Sequence, residues 1–164
     1  LVEQGAEAFV MTASGCGATV REYGYHLKDD PAYAEKAARI SSMTRDISEV
    51  IDAEASALAK ILGARKLPRV AFHPPCSLQH WQKLRGTGEA LLAKLGYDLA
   101  FVPDAHLCCG SAGTYSLFQP EYSEQLKKNK VAALQSNDPE LVLTANVGCE
   151  THIATAAGVP VKHW

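Results

Sequence analysis

Short apolar runs alternate along the chain with longer stretches whose apolar positions recur at helical spacing. Ala8–Thr12, Arg69–His73, Leu99–Val102, Leu141–Thr144 and Val159–Lys162 are too brief for helices, and Pro74-Pro75 and Pro103-Asp104 close two of them. They read as buried strands. Pro31–Ile40 and Thr44–Leu62 are rich in Ala, Glu, Lys and Leu. In the second, Ile47, Val50, Ile51, Ala55, Leu58 and Ile61 repeat at helical spacing, and Gly63 reads as the stop. A further helix is expected within Leu78–Leu95, closed by Gly96 and open to interruption at Gly86 or Gly88. Another is expected over Pro120–Leu134, with proline in its first turn. Such alternation predicts an α/β fold with a mainly parallel sheet flanked by helices.

Val10–Cys16 and Val142–Cys149 are similar, each an apolar run, a polar turn and a Gly-Cys pair, with one residue inserted in the second. Two pseudo-repeated units are expected, the first truncated. Residues 1–66 would be the C-terminal part of a first unit plus a helical connector, and 67–164 a complete second unit. The opening residues read as the end of a helix, so the chain reads as a piece of a longer protein.

Composition removes several classes. The 164 residues suffice for one sizeable core. A net charge of −2 with no basic patch argues against nucleic acid. No apolar run approaches the ~18 residues of a membrane span. Leu1–Gly5 lacks the basic start and apolar run of a secretion signal. The chain carries five cysteines, Cys16, Cys76, Cys108, Cys109 and Cys149. An odd count without a secretion signal argues against a disulfide framework and for metal or redox chemistry in a reducing compartment.

Cys76, the adjacent pair Cys108-Cys109, and Cys149 each follow the C-terminal end of an expected strand, the edge where open α/β sheets bind ligands. A vicinal pair in a glycine-rich loop can give two ligands to one site or one to each of two metals. Gly110 and Gly113 let the backbone approach a bulky group, and helix-start N–H groups stabilise thiolates. His152 stands three residues after Cys149 and reads equally as a ligand or a surface histidine; as a ligand it would raise a cluster's potential. Cys16 reads as a core residue or a ligand. His73, His80 and His106 read as structural, and Lys127–Lys130 as a solvated helix face.

Cys76, thirty-one residues, Cys108-Cys109-Gly110 and then Cys149 resemble the cysteine-rich CCG domain. That domain occurs in a component of heterodisulfide reductase, in lactate-utilisation and anaerobic glycerol-3-phosphate dehydrogenase subunits, and in glycolate oxidase iron–sulfur subunits. Ser14–Ala18, His73–His80, Leu107–Tyr115 and Asn146–Cys149 look like the C-terminal half of the last group. The resemblance implies a fold of the CCG type. It also implies a [4Fe–4S]-type cluster or a zinc ion, held by Cys76, Cys108, Cys109 and Cys149. The family pattern ends in Cys-x-x-Cys, and His152 occupies its last position. Implied partners are flavin-containing dehydrogenase subunits, which carry FAD, oxidise glycolate or a similar 2-hydroxy acid, and pass electrons toward a membrane quinone. The implied setting is cytoplasmic, peripheral at the inner membrane within the full complex.

No general base, phosphate loop or dinucleotide fingerprint is present in the chain, so no catalytic residue is assigned. Three readings follow: an electron-relaying iron–sulfur unit, a structural zinc domain at a subunit interface, or a thiol–disulfide switch between Cys108 and Cys109.

Overall fold

The computed structural model describes residues 4–63 and 65–164; the helix end read in the first residues falls mainly on 1–3, outside the described residues. The first part of the chain runs β1 (Phe9–Met11), α1 (Ser14–Arg21), α2 (Tyr23–His26), α3 (Ala34–Met43), β2 (Thr44–Asp46), α4 (Ile47–Ala53) and α5 (Ala55–Leu62). β1 and β2 pair in parallel, Phe9 opposite Thr44 and Met11 opposite Asp46. The helix expected over Thr44–Leu62 therefore starts later, and it bends at Glu54. Asp46 explains the late start. It is buried, and its extended backbone closes β2 while its carboxylate caps α4. Asp46 Oδ1 accepts from Ser48 N (3.0 Å) and Ser48 Oγ (2.7 Å), and Glu49 Oε2 accepts from Asp46 N (2.8 Å). This reciprocal capping box satisfies helix-start donors that would otherwise be orphaned. Arg21 pairs with Glu49 and ties α1 to the same corner.

The second part contains β3 (Arg69–His73), a π-helical turn (Ser77–Trp81), α6 (Thr87–Lys94), β4 (Asp98–Leu99), α7 (Tyr115–Phe118), α8 (Pro120–Gln135), β5 (Leu141–Thr144), α9 (Val147–Ala154) and β6 (Val161–His163). Its four strands are parallel in the order β4-β3-β5-β6, with Val70 opposite Leu141 and His73 opposite Thr144. The α/β class with parallel strands flanked by helices is as expected. Lys83 and Gly86, both at positive φ, separate the π-helical turn from α6, so Leu78–Leu95 is not one helix. β4 is shorter than its apolar run because the chain leaves the sheet after Ala100, whose N–H still reaches Val70 O (2.8 Å), and Phe101 is 74% exposed.

Strand alternation divides the core into two faces. Ala71 and Val142 face Cys109, Leu134, Cys149 and Ile153. Val70, Phe72 and Leu143 face Leu78 and Leu92. On α8, Ser123, Lys127, Lys130 and Leu134 share the inward face, which corrects the reading of Lys127 and Lys130 as solvated, while Lys128 and Asn129 between them are exposed as expected. The long stems of both lysines pack inward while their ammonium groups find acceptors. Lys127 Nζ donates to Glu124 Oε1 (2.7 Å) and Thr155 Oγ1 (3.0 Å), and Lys130 Nζ to Asp104 O and Ala105 O (both 3.1 Å).

The two parts join at the C-terminal edge of the larger sheet. Ser14 N donates to Ala145 O (3.0 Å), Gln82 Nε2 donates to Ser14 O (2.8 Å), and the Ser14 and Ser77 hydroxyls meet at 2.8 Å. β1 leads to α1 as β5 leads to α9, with Cys16 and Cys149 each third in their helix. No helix among the described residues is long and apolar enough to cross a membrane.

Removing the Asp46 carboxylate leaves the start of α4 uncapped. Asp46→Ala lowers stability by about 1–2 kcal/mol, read from the denaturant midpoint, while Asp46→Asn retains most of it.

Candidate metal centre

Three loops leave the C-terminal ends of β3, β4 and β5 and converge. A cavity of about 200 Å³ is lined by His73, Cys76, Ser77, Cys108, Cys109, Ser111, Asn146 and Cys149, with Gly15 and Gly113 at its margins. The four cysteines singled out in the second unit thus face one space. Cys76 is exposed, Cys108 half-buried, and Cys109 and Cys149 buried. All five cysteines, Cys16 included, are free thiols, and Cys16 is exposed and off this cavity.

The Cys108–Cys109 loop owes its shape to Gly110, which sits at φ +92°, and a Cβ there would lie 2.4 Å from Ser123 O. Only glycine tolerates both the left-handed backbone and that approach. Ser123 Oγ donates to Gly110 O (2.9 Å) and lies 3.3 Å from His152 Nε2. The single hydroxyl proton goes to the carbonyl, so the imidazole N–H donates to Ser123 Oγ. His152 therefore points to the back of the loop and does not line the thiol cavity. Lys130 steadies the same segment by its bonds to Asp104 O and Ala105 O. His80 Nε2 donates to His106 O (3.2 Å), and Gln79 Nε2 bridges His106 O (3.3 Å) and Pro74 O (2.9 Å).

Crowding four sulfur atoms divides their protons unequally. Cys108 is pushed far below the ordinary thiol value by hydrogen bonds from Cys109 and Cys76, with help from the Gly110 N–H at 3.3 Å. Cys149 is lowered to about 4, chiefly by a hydrogen bond from Cys109 and then by His73. Cys76 is raised by its bond to Cys108 and by burial. Cys109 is raised by its bonds to Cys108 and Cys149 and by burial. Ser111 Oγ lies 3.2 Å from Cys109 Sγ and donates to Cys149 Sγ at 3.7 Å, and Asn146 Nδ2 donates to Cys149 Sγ at 3.6 Å.

His73, expected from the sequence to be structural, instead stands at the thiols. It is 1% exposed, and its ring nitrogen lies with Cys109 Sγ and Cys149 Sγ in a group whose ligand atoms are all within 4.8 Å of one another. A signal was available in strand parity: His73 shares the face of Ala71, the face that carries both buried thiols. From the sequence, Ser111 and Asn146 carry no role of their own and Lys130 reads as solvated, since nothing in their spacing connects them to cysteines elsewhere in the chain.

Thiolates, thiols and an imidazole at one cavity form a donor set suited to a thiophilic metal. Residues 70–154, which span every one of these groups but Gly15, match the cysteine-rich domain family named CCG. The chain belongs to the CCG family. Over 163 residues the chain is 52% identical to the glycolate oxidase iron-sulfur subunit of Escherichia coli K12, covering 99% of the chain and 39% of that relative. It is 32% identical over 144 residues to a probable glycolate oxidase iron-sulfur subunit of Bacillus subtilis 168, covering 87% of the chain and 32% of the relative. With lactate utilization protein A of Bacillus licheniformis it shares 29% identity over 161 residues, 94% of the chain and 65% of the relative. The chain thus spans less than two thirds of each of these relatives.

The metal-free, reduced domain has a pH dependence whose sign follows from the thiols. Unfolded thiols titrate near ~8.5. Cys108 and Cys149 are held below that value, so their contribution is fully present above it and is lost as pH falls through their folded values, about 4 for Cys149. Cys76 and Cys109 are held above it, so theirs is present below ~8.5 and is lost as pH rises. The thiol contribution to the denaturant midpoint therefore peaks near pH ~8.5. The acid limb is lost in Cys108→Ser/Cys149→Ser, and the alkaline limb shrinks with it because those two sulfurs are the chief causes of the Cys76 and Cys109 shifts, whereas Cys76→Ser/Cys109→Ser loses the alkaline limb.

Proposed function

We propose that the chain holds an iron–sulfur cluster of the [4Fe–4S] type at the thiol cavity and relays electrons. They would come from flavin-dependent oxidation of glycolate or a similar 2-hydroxy acid on an FAD-bearing partner subunit and go toward a quinone acceptor. The observation that carries this reading is the convergence of Cys76, Cys108, Cys109 and Cys149 on one space at the sheet edge, two of them poised as thiolates. Relatives named as glycolate oxidase iron-sulfur subunits support the same assignment. In this reading residues 67–164 form the unit that holds the centre, and residues 1–66 buttress it through Gly15 and Ser14. The chain would work on the cytoplasmic side, peripheral to the membrane within a larger complex.

The residues present fit the group. Cys108 and Cys149 need lose no proton to bind iron, and the Gly110 N–H, Ser111 and Asn146 donate toward sulfur. When bound, the cluster takes up and releases single electrons. The chain supplies the conditions for that exchange. The buried Cys109 and Cys149 hold one side away from water, while the exposed Cys76 leaves the other close to a docking partner. Hydrogen bonds to sulfur and the Lys130 charge, which acts on Cys109, Cys108 and Cys149, favour the reduced state.

Zinc is a second reading, favoured by the close group of His73, Cys109 and Cys149. Anaerobic purification followed by metal and acid-labile sulfide analysis separates the two. Iron with stoichiometric sulfide and visible absorption is expected, and zinc alone without sulfide would overturn the iron assignment. Cys108→Ser and Cys109→Ser each abolish the cluster absorption while leaving the far-ultraviolet circular dichroism in place.

Lys130→Met removes a buried positive charge near the sulfurs. The midpoint potential of the loaded protein then falls by an amount on the order of tens of millivolts, read by potentiometric EPR titration.

A further inference from the structure

His73 closes β3 opposite Thr144, on the sheet face that carries Cys109 and Cys149. Its ring is 1% exposed, and neither Nδ1 nor Nε2 makes a well-formed hydrogen bond, the sulfur of Cys149 being the neighbour it acts on. Buried polar atoms are paired in the great majority of cases, and an imidazole always carries at least one N–H and, when neutral, one lone pair. The groups the ring addresses are the thiol sulfurs: His73 helps hold Cys149 toward the thiolate, and no other group of the polypeptide pairs with either nitrogen. Pro74 and Pro75 follow directly and are buried, and Gln79 holds Pro74 O, so the segment from His73 to Cys76 has little freedom to turn the ring elsewhere.

His152, at the position where the family pattern has its last cysteine, has its Nε2 engaged with Ser123 Oγ behind the Gly110 loop. His73, by contrast, offers a nitrogen within 4.8 Å of two thiol sulfurs, close to the separation of ligands sharing one metal at bond lengths of about 2.0–2.3 Å. We propose that His73 is a direct nitrogen ligand of the metal centre, completing the set begun by the cysteines, and that His152 instead positions the Cys108–Cys109 loop. This rests on the reading of the cavity as a metal centre and extends it. A neutral imidazole in place of a thiolate leaves the centre one negative charge lighter, so its reduction potential lies above that of the same site with cysteine at His73.

The test is pulsed EPR on protein labelled with ¹⁵N-histidine, loaded anaerobically in one arm with iron and sulfide and reduced, and in the other with Co(II) alone. The strong nitrogen coupling of a directly bound imidazole is expected in wild type and in His152→Ala. His73→Cys should keep its metal, lose that coupling and, with iron, show a lower potential. Weak coupling alone in wild type, strong coupling that survives in His73→Cys, or strong coupling that disappears in His152→Ala would each overturn the assignment. Should His73→Cys fail to fold, the comparison of wild type with His152→Ala still decides between the two histidines. Cobalt uptake with strong coupling but no uptake of iron with sulfide rejects the iron–sulfur reading and upholds His73 as ligand. Uptake of neither rejects both.

Discussion

Four sulfur atoms in one small cavity cannot all lose their protons unless a cation joins them. That constraint organises the domain. Like charges at such separations repel strongly, and each ionised sulfur is stabilised by a neighbour that stays protonated. Cys108 and Cys149 are held toward the thiolate and Cys109, which bonds to both, toward the thiol. A thiophilic cation relieves the arrangement by replacing protons with a shared positive charge, which links metal affinity to folding and to pH.

The polypeptide around the sulfurs serves to hold this unfavourable arrangement together. Gly110 takes a backbone conformation closed to other residues and presses against Ser123. Behind it, His152, Ser123 and the Gly110 carbonyl form a chain of hydrogen bonds. Lys130 is buried at some cost and is compensated by two carbonyls and by the field of the thiolates. On the opposite rim the first part of the chain supplies Gly15, whose N–H donates to Asn146 Oδ1 (3.3 Å), and Asn146 in turn donates to Cys149. The thiol cavity is therefore assembled from both parts of the chain, although its sulfurs come from one.

A relay function asks little of the protein beyond placement. The sulfurs must be shielded enough to keep water from the centre and near enough to the surface for an electron to leave. The gradient from buried Cys109 and Cys149 to exposed Cys76 meets both demands.

The sequence alone determined the α/β class, the positions of β3 and β5 and the extent of α8, because each is a local pattern of apolar residues, turn formers and caps. It also marked Cys76, Cys108, Cys109 and Cys149, since each follows a strand end and a parallel sheet directs all such ends to one edge. The tertiary structure decided what depends on which backbone lies beside which. Thr44–Asp46 became a strand because β1 was there to pair with it. Lys127 and Lys130 turned inward because α8 lies against the sheet with carbonyl, carboxylate and hydroxyl acceptors in reach. His73 and His152 exchanged their expected surroundings, His73 into the thiol cavity by strand parity and His152 behind the loop by the direction of α9. Those outcomes arise from contacts between residues distant in sequence, and no local spacing encodes them.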